Sequence, residues 1–364
     1  MSVITSIATA LPAHKHKQQD IAAFMGKLLK YSKQKNEKLQ AFYAHSGIDT
    51  RYSVLPDFSL PVGKKTFFSV EPAPTLEHRM QLFRDNALKL SLDAINNCIK
   101  GKIKHAEVTH LITVSCTGMY APGLDIDIIQ SLQLDENISR TSVNFMGCYA
   151  AIHAFKQADA ICKSNKNAIV LVVCVELCTI HFQNKNDIDN ITANLLFADG
   201  AGAALIVGNT IKEKKKMNGF EIKNFHSQVE LKGKADMVWQ LSSTGFLMTL
   251  SKYVPQLIEK NIKKLFDKAI KKLSIKKEDI AHWAIHPGGK KILSVIQKEL
   301  SLKDEDIESS AKVLRNYGNM SSATVLFVLK DIIDNKVKAN SNETTFCVAF
   351  GPGLTMESVM LQNV

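Results

Sequence analysis

The apolar residues of this chain fall into two alternating patterns, short continuous runs and stripes at helical spacing. Continuous runs predict buried strands at residues 3–11, 110–116 and 168–175, and a glycine-rich turn enters another strand within residues 195–207. The stripe from Pro74 to Ile99 predicts a long amphipathic helix with Pro74 in its first turn. Shorter helices are predicted at residues 18–29 and 37–44 and from Pro122 to Leu132, and residues 45–52 form a turn that feeds an extended loop.

The second half of the chain repeats the order of elements of the first. A strand at residues 282–286 ends at Pro287 and Gly288 and precedes a helix that runs to Leu300. Residues 316–323 form a turn that enters an apolar helix at 325–333, and strands follow at 346–350 and 357–361. Strands that alternate with helices indicate mostly parallel, buried sheets. With a polar, lysine-rich boundary at 208–219, we predict a duplicated α/β fold with halves at residues 1–209 and 210–364.

Residues 141–155 combine a strand, a tight turn and a buried helix around Cys148. Gly147 permits a turn that a Cβ would block, and apolar residues from Ala151 to Ile161 recur at helical spacing. A thiol at the first turn of a helix meets partial positive charge and unpaired N–H groups, which lower its pKa. Cys148 is therefore a candidate nucleophile. A buried, inert cysteine is the alternative, and it is our interpretation of most other cysteines in this chain.

Composition limits the class of protein. The chain has 364 residues, of which 45% are hydrophobic and 22% charged, and it can bury a large core. Its longest apolar run, residues 168–175, is well short of the roughly 18–20 residues that span a membrane. The N-terminus lacks the basic segment of a secretory signal. Seven cysteines without CxxC spacing favour reduced thiols in the cytoplasm.

The net charge of +11 comes with clusters of lysine at residues 214–216, 263–264, 271–272 and 276–277. A nucleic-acid interface needs basic residues on one face together with aromatics or a known motif, and the sequence has neither. Most of these lysines lie on the polar faces of helical patterns. We therefore interpret them as solvated surface, some of which helps to hold an anionic substrate.

If a pseudo-twofold axis relates the halves, their equivalent turns meet near its centre. Cys148 then faces the turn that carries Asn319, and the strand that ends at His286 opens onto the same place. An imidazole keeps a thiol deprotonated, and imidazole and carboxamide both donate to a developing oxyanion. The alternatives are a structural histidine and a turn asparagine. A metal site at His282 and His286 lacks a third ligand at suitable spacing.

Four segments are similar to signatures of the type III polyketide synthases, the chalcone synthase-like family of thiolase-fold condensing enzymes. They are residues 145–151, 285–289, 317–323 and 350–353, in the order and at the spacing of that family. The resemblance covers nearly the whole chain. It implies a duplicated, layered αβαβα fold with two mostly parallel or mixed sheets. It also implies that Cys148 accepts the acyl group, while His286 and Asn319 drive decarboxylation of malonyl-CoA and hold the thioester oxyanion.

Further residues match family positions around the substrate. Phe197 corresponds to an aromatic gatekeeper, and Met248 stands where plant members usually have a second, phenylalanine gatekeeper. Trp239 replaces a small residue and is expected to narrow the cavity. Ala121 matches a position that reaches across a homodimer into the neighbouring cavity. The remaining expected substrate-binding residues are Cys178 and His181 in the cavity wall, Arg51 near the CoA phosphates, and Gly289 and Phe350.

The resemblance implies an acyltransferase that loads an acyl-CoA starter on Cys148 and extends it repeatedly with malonyl-CoA, without a cofactor. The expected starter is aliphatic or small, and the product is a pyrone or a resorcinol- or phloroglucinol-type ring. One alternative is a single-round ketoacyl synthase that works with an acyl carrier protein. A papain-like protease also uses Cys, His and Asn in this order, but its local cysteine signature is absent. A basic acyl-CoA or nucleic-acid binding module leaves the three aligned residues unexplained.

Overall fold

The computed structural model describes residues 1–60, 67–69, 73–338 and 341–364. The predicted loop after Tyr52 lies partly outside these residues. The first half contains β1 (Ser2–Ala10), β2 (His14–Lys17), α1 (Gln18–Leu28), α2 (Lys33–Ala44), β3 (Thr50–Ser53), α3 (Leu76–Ile99), β4 (His110–Ser115), α4 (Leu124–Leu132), β5 (Ser139–Asn144), α5 (Ala150–Ser164), β6 (Ile169–Leu177), α6 (Ile188–Leu196), β7 (Asp199–Gly208) and α7 (Asn209–Lys214).

The second half has fewer elements in the same general order. It contains β8 (Phe220–Val229), β9 (Met237–Ser242), β10 (Gly245–Leu250), α8 (Val254–Lys271), β11 (Ile280–Ile285), α9 (Lys290–Glu299), α10 (Asp304–Tyr317), α11 (Thr324–Asn335), β12 (Thr344–Gly351) and β13 (Thr355–Asn363). Among the described residues, no helix has the length and hydropathy needed to cross a membrane.

The strands of both halves join in one mixed sheet with the order β11-β12-β13-β8-β1-β7-β6-β4-β5. In the first half, β4 is parallel to β6, β6 is antiparallel to β7, and β7 is antiparallel to β1. The second half repeats these directions in β11, β12, β13 and β8. The halves meet where β1 and β8 pair antiparallel through only two residue pairs, Val3 with Glu221 and Ile4 with Phe220. This arrangement confirms the predicted duplication.

The sheet is buried on both faces, which explains the continuous apolar runs in the sequence. Along β6, Val170 and Val172 belong to one core, whereas Leu171 and Val173 belong to the other. The first core also contains the apolar faces of α5 and α11, and the second contains those of α3 and α8. A layered thiolase-like fold results, in which α5 and α11 form the central pair of helices.

The predicted elements match the observed ones to within a few residues. The helix predicted from Pro74 begins at Leu76, because the Thr75 side chain accepts the His78 backbone N–H and caps it. The helix predicted from Glu37 begins four residues earlier, at Lys33. The sequence analysis gave no bounds for β2, β3, α6, α7, β8, α8 or α10, or for the hairpin of β9 and β10. That hairpin forms part of the site.

Candidate active site

The turn before α5 places the Cys148 thiol beside the second half of the chain. Gly147 has a φ of +87°, and a Cβ there would lie 2.2 Å from the Cδ of Pro352. The Gly147 N–H donates to the Cys116 sulfur at 3.0 Å. Only glycine combines this left-handed backbone with so close an approach to a neighbouring loop. The helix itself begins at Ala150, two residues after Cys148.

Burial dominates the electrostatics of the candidate nucleophile. Cys148 is 8% exposed, and its Sγ lies 3.9 Å from the Asn319 Oδ1. Removal from water raises the pKa of the thiol to about 12, although contacts with Ser321 and Asn319 act in the opposite direction. The expected low pKa is therefore wrong for this site, since desolvation of the thiolate outweighs the helix N-terminus.

His286 is a buried imidazole, and neither of its ring nitrogens has a hydrogen-bond partner among the described residues. Its backbone N–H donates to the Val348 carbonyl at 2.8 Å, which fixes the residue at the end of β11. Burial lowers the pKa of His286 to about 3, so the ring is neutral at physiological pH. Two unpaired buried nitrogens facing a cavity are costly unless a ligand uses them.

Asn319 is held rigidly between the two halves. Its backbone N–H donates to the Leu196 carbonyl and its own carbonyl accepts from the Ala198 N–H, each at 2.9 Å. The side-chain Oδ1 accepts the Ser321 N–H at 2.9 Å. Because the oxygen is engaged, the Nδ2 hydrogens are the part of the carboxamide left to donate to a substrate.

Cys148 and His286 line the same cavity, which has an empty volume of about 840 Å³. The lining also includes six of the expected substrate-binding residues, Cys178, His181, Phe197, Trp239, Met248 and Phe350. Their contact with a substrate stays a prediction. Asn319 contacts Cys148 from outside the lining.

An aromatic cluster forms one wall of the cavity. The His181 ring stacks on Phe246 with centroids 4.3 Å apart, and Trp239 meets both rings edge-on. The His181 Nδ1 accepts the Phe246 N–H, so its Nε2 donates to the Thr117 carbonyl at 2.8 Å. Trp239 Nε1 donates to the neighbouring Cys116 carbonyl at 2.7 Å. These bonds fasten the β9–β10 hairpin to the end of β4.

Two family models match the chain on either side of the junction between its halves. The N-terminal domain of chalcone and stilbene synthases matches residues 1–210, and the C-terminal domain matches residues 224–364. The chain belongs to the chalcone and stilbene synthase family.

Similar proteins match over the full length. The alpha-pyrone synthesis polyketide synthase-like Pks18 of Mycobacterium tuberculosis is 31% identical over 365 residues, which cover 100% of this chain and 92% of that protein.

Two crystal structures have the same fold. PKS-I from the brown alga Ectocarpus siliculosus has a TM-score of 0.92 and 29% identity, covering 100% of this chain and 98% of that one. The C-terminal type III polyketide synthase domain of Steely1, a type I/III hybrid from Dictyostelium, has a TM-score of 0.90 and 28% identity, covering 100% and 99%.

Membership of the chalcone and stilbene synthases decides the class of reaction. The protein is an acyltransferase of the type III polyketide synthase kind, which condenses malonyl-CoA iteratively. This excludes the papain-like protease and the non-enzymatic binding module. The described residues contain no cluster of three or more His, Cys, Asp or Glu side chains that could hold a metal ion.

The placement of Arg51 contradicts its expected contact with the CoA phosphates. Its side chain is 1% exposed, its Nε donates to the Gln18 Oε1 at 2.8 Å, and a terminal nitrogen donates to the Phe197 carbonyl. Burial lowers the pKa of Arg51 to about 10. Arg51 therefore anchors the backbone at Phe197 from inside the fold.

Two other expected residues lie outside the cavity lining. Gly289 precedes α9, where its carbonyl accepts the Ile292 N–H at 3.1 Å, and its neighbour Gly288 lines the cavity instead. Ala121 lies at a separate surface cavity next to Met119 and β5. Its position across a dimer stays a prediction.

The sequence analysis missed a buried carboxylate behind the nucleophile. Glu176 is fully buried and accepts hydrogen bonds from the Cys116 N–H at 3.0 Å, the Thr117 Oγ1 at 2.9 Å and the Ser322 hydroxyl. Burial raises its pKa. The sequence contained one signal for this residue, a single acidic side chain inside the continuous apolar run of β6. A buried carboxylate there needs several hydrogen-bond donors around it.

Proposed function

We propose that Cys148, His286 and Asn319 carry out the condensation at the cavity that Cys148 and His286 line. The observation that carries this proposal is the junction of three separate segments at one point. The thiol and the unpartnered imidazole face one cavity, and the carboxamide of Asn319 touches the sulfur. If Cys148, His286 and Asn319 had only structural roles, the two buried ring nitrogens of His286 without partners among the described residues would have no explanation.

In the loading step, the Cys148 sulfur attacks the carbonyl carbon of an acyl-CoA. The C–S bond to the enzyme forms, the C–S bond to CoA breaks, and the thiol proton passes through His286 to the CoA thiolate. A neutral imidazole can take part in this step, because it accepts the proton at one nitrogen while the other carries hydrogen. The high pKa of the free thiol means that proton removal accompanies attack.

In the extension step, malonyl-CoA loses CO2 and leaves an enolate on its thioester. The His286 ring N–H and the Asn319 Nδ2 hydrogens donate to that oxygen, where a desolvated site makes them most effective. The enolate carbon attacks the acyl thioester, the new C–C bond forms, and the sulfur of Cys148 leaves and is reprotonated. Loss of CO2 supplies the carbanion, so the proposed reaction consumes no cofactor.

We propose an aliphatic or small starter and a short polyketide that closes to a pyrone. The curated relative is described as an alpha-pyrone synthesis polyketide synthase-like protein. After the last extension the chain is a CoA thioester. In lactone formation, an enol oxygen of the chain attacks the thioester carbon, the C–S bond to CoA breaks, and the enol proton passes to the CoA thiolate. The apolar walls formed by Trp239, Met248 and Phe197 support an aliphatic chain. Resorcinol- or phloroglucinol-type rings are the alternative products.

Lys290 and Lys291 are our candidates for the CoA phosphates in place of Arg51. Both are exposed at the first turn of α9, between the cavity residues Gly288 and Ile292. Neither forms an ion pair with a described residue. The start of a helix adds its own preference for anions.

A homodimer is the proposed assembly. Strand β5 is an edge of the large sheet, and all but one of its residues are half-exposed or exposed rather than buried. Met119, which is 45% exposed, lies with Ala121 beside this edge. An open strand edge next to an exposed apolar side chain favours pairing with a second copy. Met119→Asp is expected to produce a monomer in analytical ultracentrifugation, and an unchanged dimer would refute this interface.

The seven cysteines are all free thiols, which supports the proposed reducing, cytoplasmic location.

The reaction is tested with radiolabelled malonyl-CoA and a hexanoyl-CoA starter. The expected result is CO2 release together with an extended product, and Cys148→Ala is expected to abolish the extended product. A product extended by a single unit would favour a one-round ketoacyl synthase. Product formation that survives in Cys148→Ala would refute the proposed mechanism.

A further inference from the structure

Helix α8 presents a row of lysines to solvent. Its buried face consists of Val254, Ile258, Ile262, Leu265, Phe266 and Ala269. The opposite face carries Lys260, Lys263, Lys264, Lys268 and Lys271, all exposed, and together with Asp267 they line one surface groove. We call these five lysines the α8 basic face.

The spacing of charges along α8 produces both repulsive and attractive pairs. Lys260 and Lys264 are four residues apart, as are Lys264 and Lys268, and like charges at this spacing repel each other. Glu259 and Asp267 each lie four residues from Lys263, and Asp267 lies four residues from Lys271. Five lysines beside two carboxylates leave an excess of positive charge along this face, which suits an anionic partner.

The α8 basic face also lacks internal neutralisation. Elsewhere in the described part of the chain, lysines such as Lys156, Lys312 and Lys330 form ion pairs. None of the five lysines of the α8 basic face does so within the described residues, even though Asp267 lies among them. Their charge is therefore available to a partner.

The position of α8 connects this surface to the active site. Helix α9 lies beside it, joined by the ion pair of Lys298 with Glu259 at 2.9 Å. The first turn of α9 follows His286 and Gly288, which line the cavity. A partner on the α8 basic face is thus one helix away from the catalytic cavity.

We propose that the α8 basic face docks an acidic carrier protein that delivers an acyl thioester on its phosphopantetheine arm. This inference rests on the function proposed above, because the arm presents the same thioester as CoA. A carrier lacks the adenosine phosphates of CoA, so it needs another electrostatic contact, and a row of lysines provides one.

Two features favour a protein partner over an anionic membrane. Between residues 260 and 271, all of which are described, no large hydrophobic side chain is exposed to insert among lipids. The row spans about 16 Å along a single helix, at 1.5 Å per residue, which matches an acidic helix better than an extended lipid plane. The rest of the helix surface is not needed for the contact.

The test compares hexanoyl-CoA with an acidic acyl carrier protein bearing hexanoyl-phosphopantetheine as starter. The variant Lys263→Glu/Lys264→Glu/Lys268→Glu reverses the centre of the α8 basic face. The control Lys38→Glu/Lys89→Glu/Lys214→Glu makes the same change in net charge on exposed lysines of α2, α3 and α7. A third variant, Lys290→Ala/Lys291→Ala, removes the proposed CoA contact.

We expect the α8 variant to raise KM for the carrier-bound starter about tenfold or more, with kcat and the CoA reaction unchanged. Higher salt should raise the carrier KM of the wild type and have little effect on the variant. The control should keep wild-type kinetics, and the Lys290/Lys291 variant should lose affinity for CoA alone.

The docking proposal would be overturned if the wild type, the α8 variant and the control had the same KM and kcat for the carrier-bound starter. It would also be overturned if the wild type used hexanoyl-CoA but not the carrier-bound starter. Lysine-dependent binding to phosphatidylglycerol vesicles but not to the carrier would assign this face to a membrane and refute the proposal. If the wild type formed no extended product from either hexanoyl-CoA or the carrier-bound starter, the proposed function itself would be refuted.

Discussion

Trp239 and Met248 lie directly opposite each other on the β9–β10 hairpin, and both line the catalytic cavity. Cross-strand partners point to the same face of a sheet, so these two side chains compete for the same space. By the family resemblance described above, plant enzymes are expected to have a small residue in place of Trp239 and a phenylalanine in place of Met248. The pairing indicates that the two departures compensate for each other in volume.

Trp239→Gly is expected to give longer products or to admit larger starters, because it removes the larger member of the pair. Met248→Phe should restrict the cavity, and the double variant should recover a product profile close to that of the wild type. Mass spectrometry of products from a panel of starter-CoA esters measures this coupling. Trp239→Phe is the control, since it keeps much of the volume and loses the hydrogen bond to Cys116. Additive shifts in the double variant would show that the residues act separately.

Cys148 is expected to carry the covalent acyl group, and intact-protein mass spectrometry after acyl-CoA exposure should show one adduct, absent in Cys148→Ala. Because the pKa of its thiol is raised to about 12, its alkylation by iodoacetamide should rise about tenfold per pH unit from pH 8 to pH 10. A rate that levels off below pH 8.5 would contradict this burial argument and support a thiolate stabilised by the helix.

His286→Ala and Asn319→Ala are expected to lower turnover about 100-fold to 1000-fold each, since each removes a donor to the developing oxyanion. The affinity for CoA thioesters should change little. Steady-state assays of malonyl-CoA decarboxylation, with CoA affinity measured by calorimetry, separate the two effects. A change confined to KM would contradict the assigned roles.

The neutral, buried His286 makes stability depend on pH. The unfolded chain protonates this residue below pH 6.5, whereas the folded protein resists protonation until about pH 3, so the free energy of unfolding falls as pH falls through this window. Between pH 7 and pH 5 the loss is about 2 kcal/mol. His286→Gln, which breaks no side-chain hydrogen bond, should reduce that loss by about this amount in urea unfolding. If the wild type and His286→Gln lost the same free energy of unfolding between pH 7 and pH 5, a group other than His286 would be responsible for the pH dependence.

Substitutions of Arg51 and Lys290 are expected to have different effects, the first on stability and the second on the KM for malonyl-CoA. Arg51→Lys should lower stability by about 1–3 kcal/mol, because lysine cannot serve both Gln18 and the Phe197 carbonyl. It should leave the KM for malonyl-CoA nearly unchanged. Lys290→Ala should raise that KM several-fold at unchanged stability, and Lys298→Ala on the same helix is the control. A large increase in KM for Arg51→Lys, with full stability, would restore its expected phosphate contact.

The sequence by itself determined the duplicated order of most strands and helices, and it supplied Cys148, His286 and Asn319 as candidate reactive residues. Apolar runs identify strands buried on both faces, and Gly147 before an apolar helix marks a turn that holds a cysteine. These features are local, so neighbouring residues suffice to reveal them. The agreement of four separate segments with one family then joined Cys148, His286 and Asn319 before any distance was known.

Only the tertiary structure decided how the surroundings act on those residues. The pKa of Cys148 rises rather than falls, because desolvation depends on every segment packed around the sulfur. Arg51 turns inward for the same reason, since its partners Gln18 and Phe197 lie 33 and 146 residues away along the chain. The opposition of Trp239 and Met248 required the register of a hairpin. Residues distant in sequence set burial, charge and volume together, and a pattern along the chain does not contain those distances.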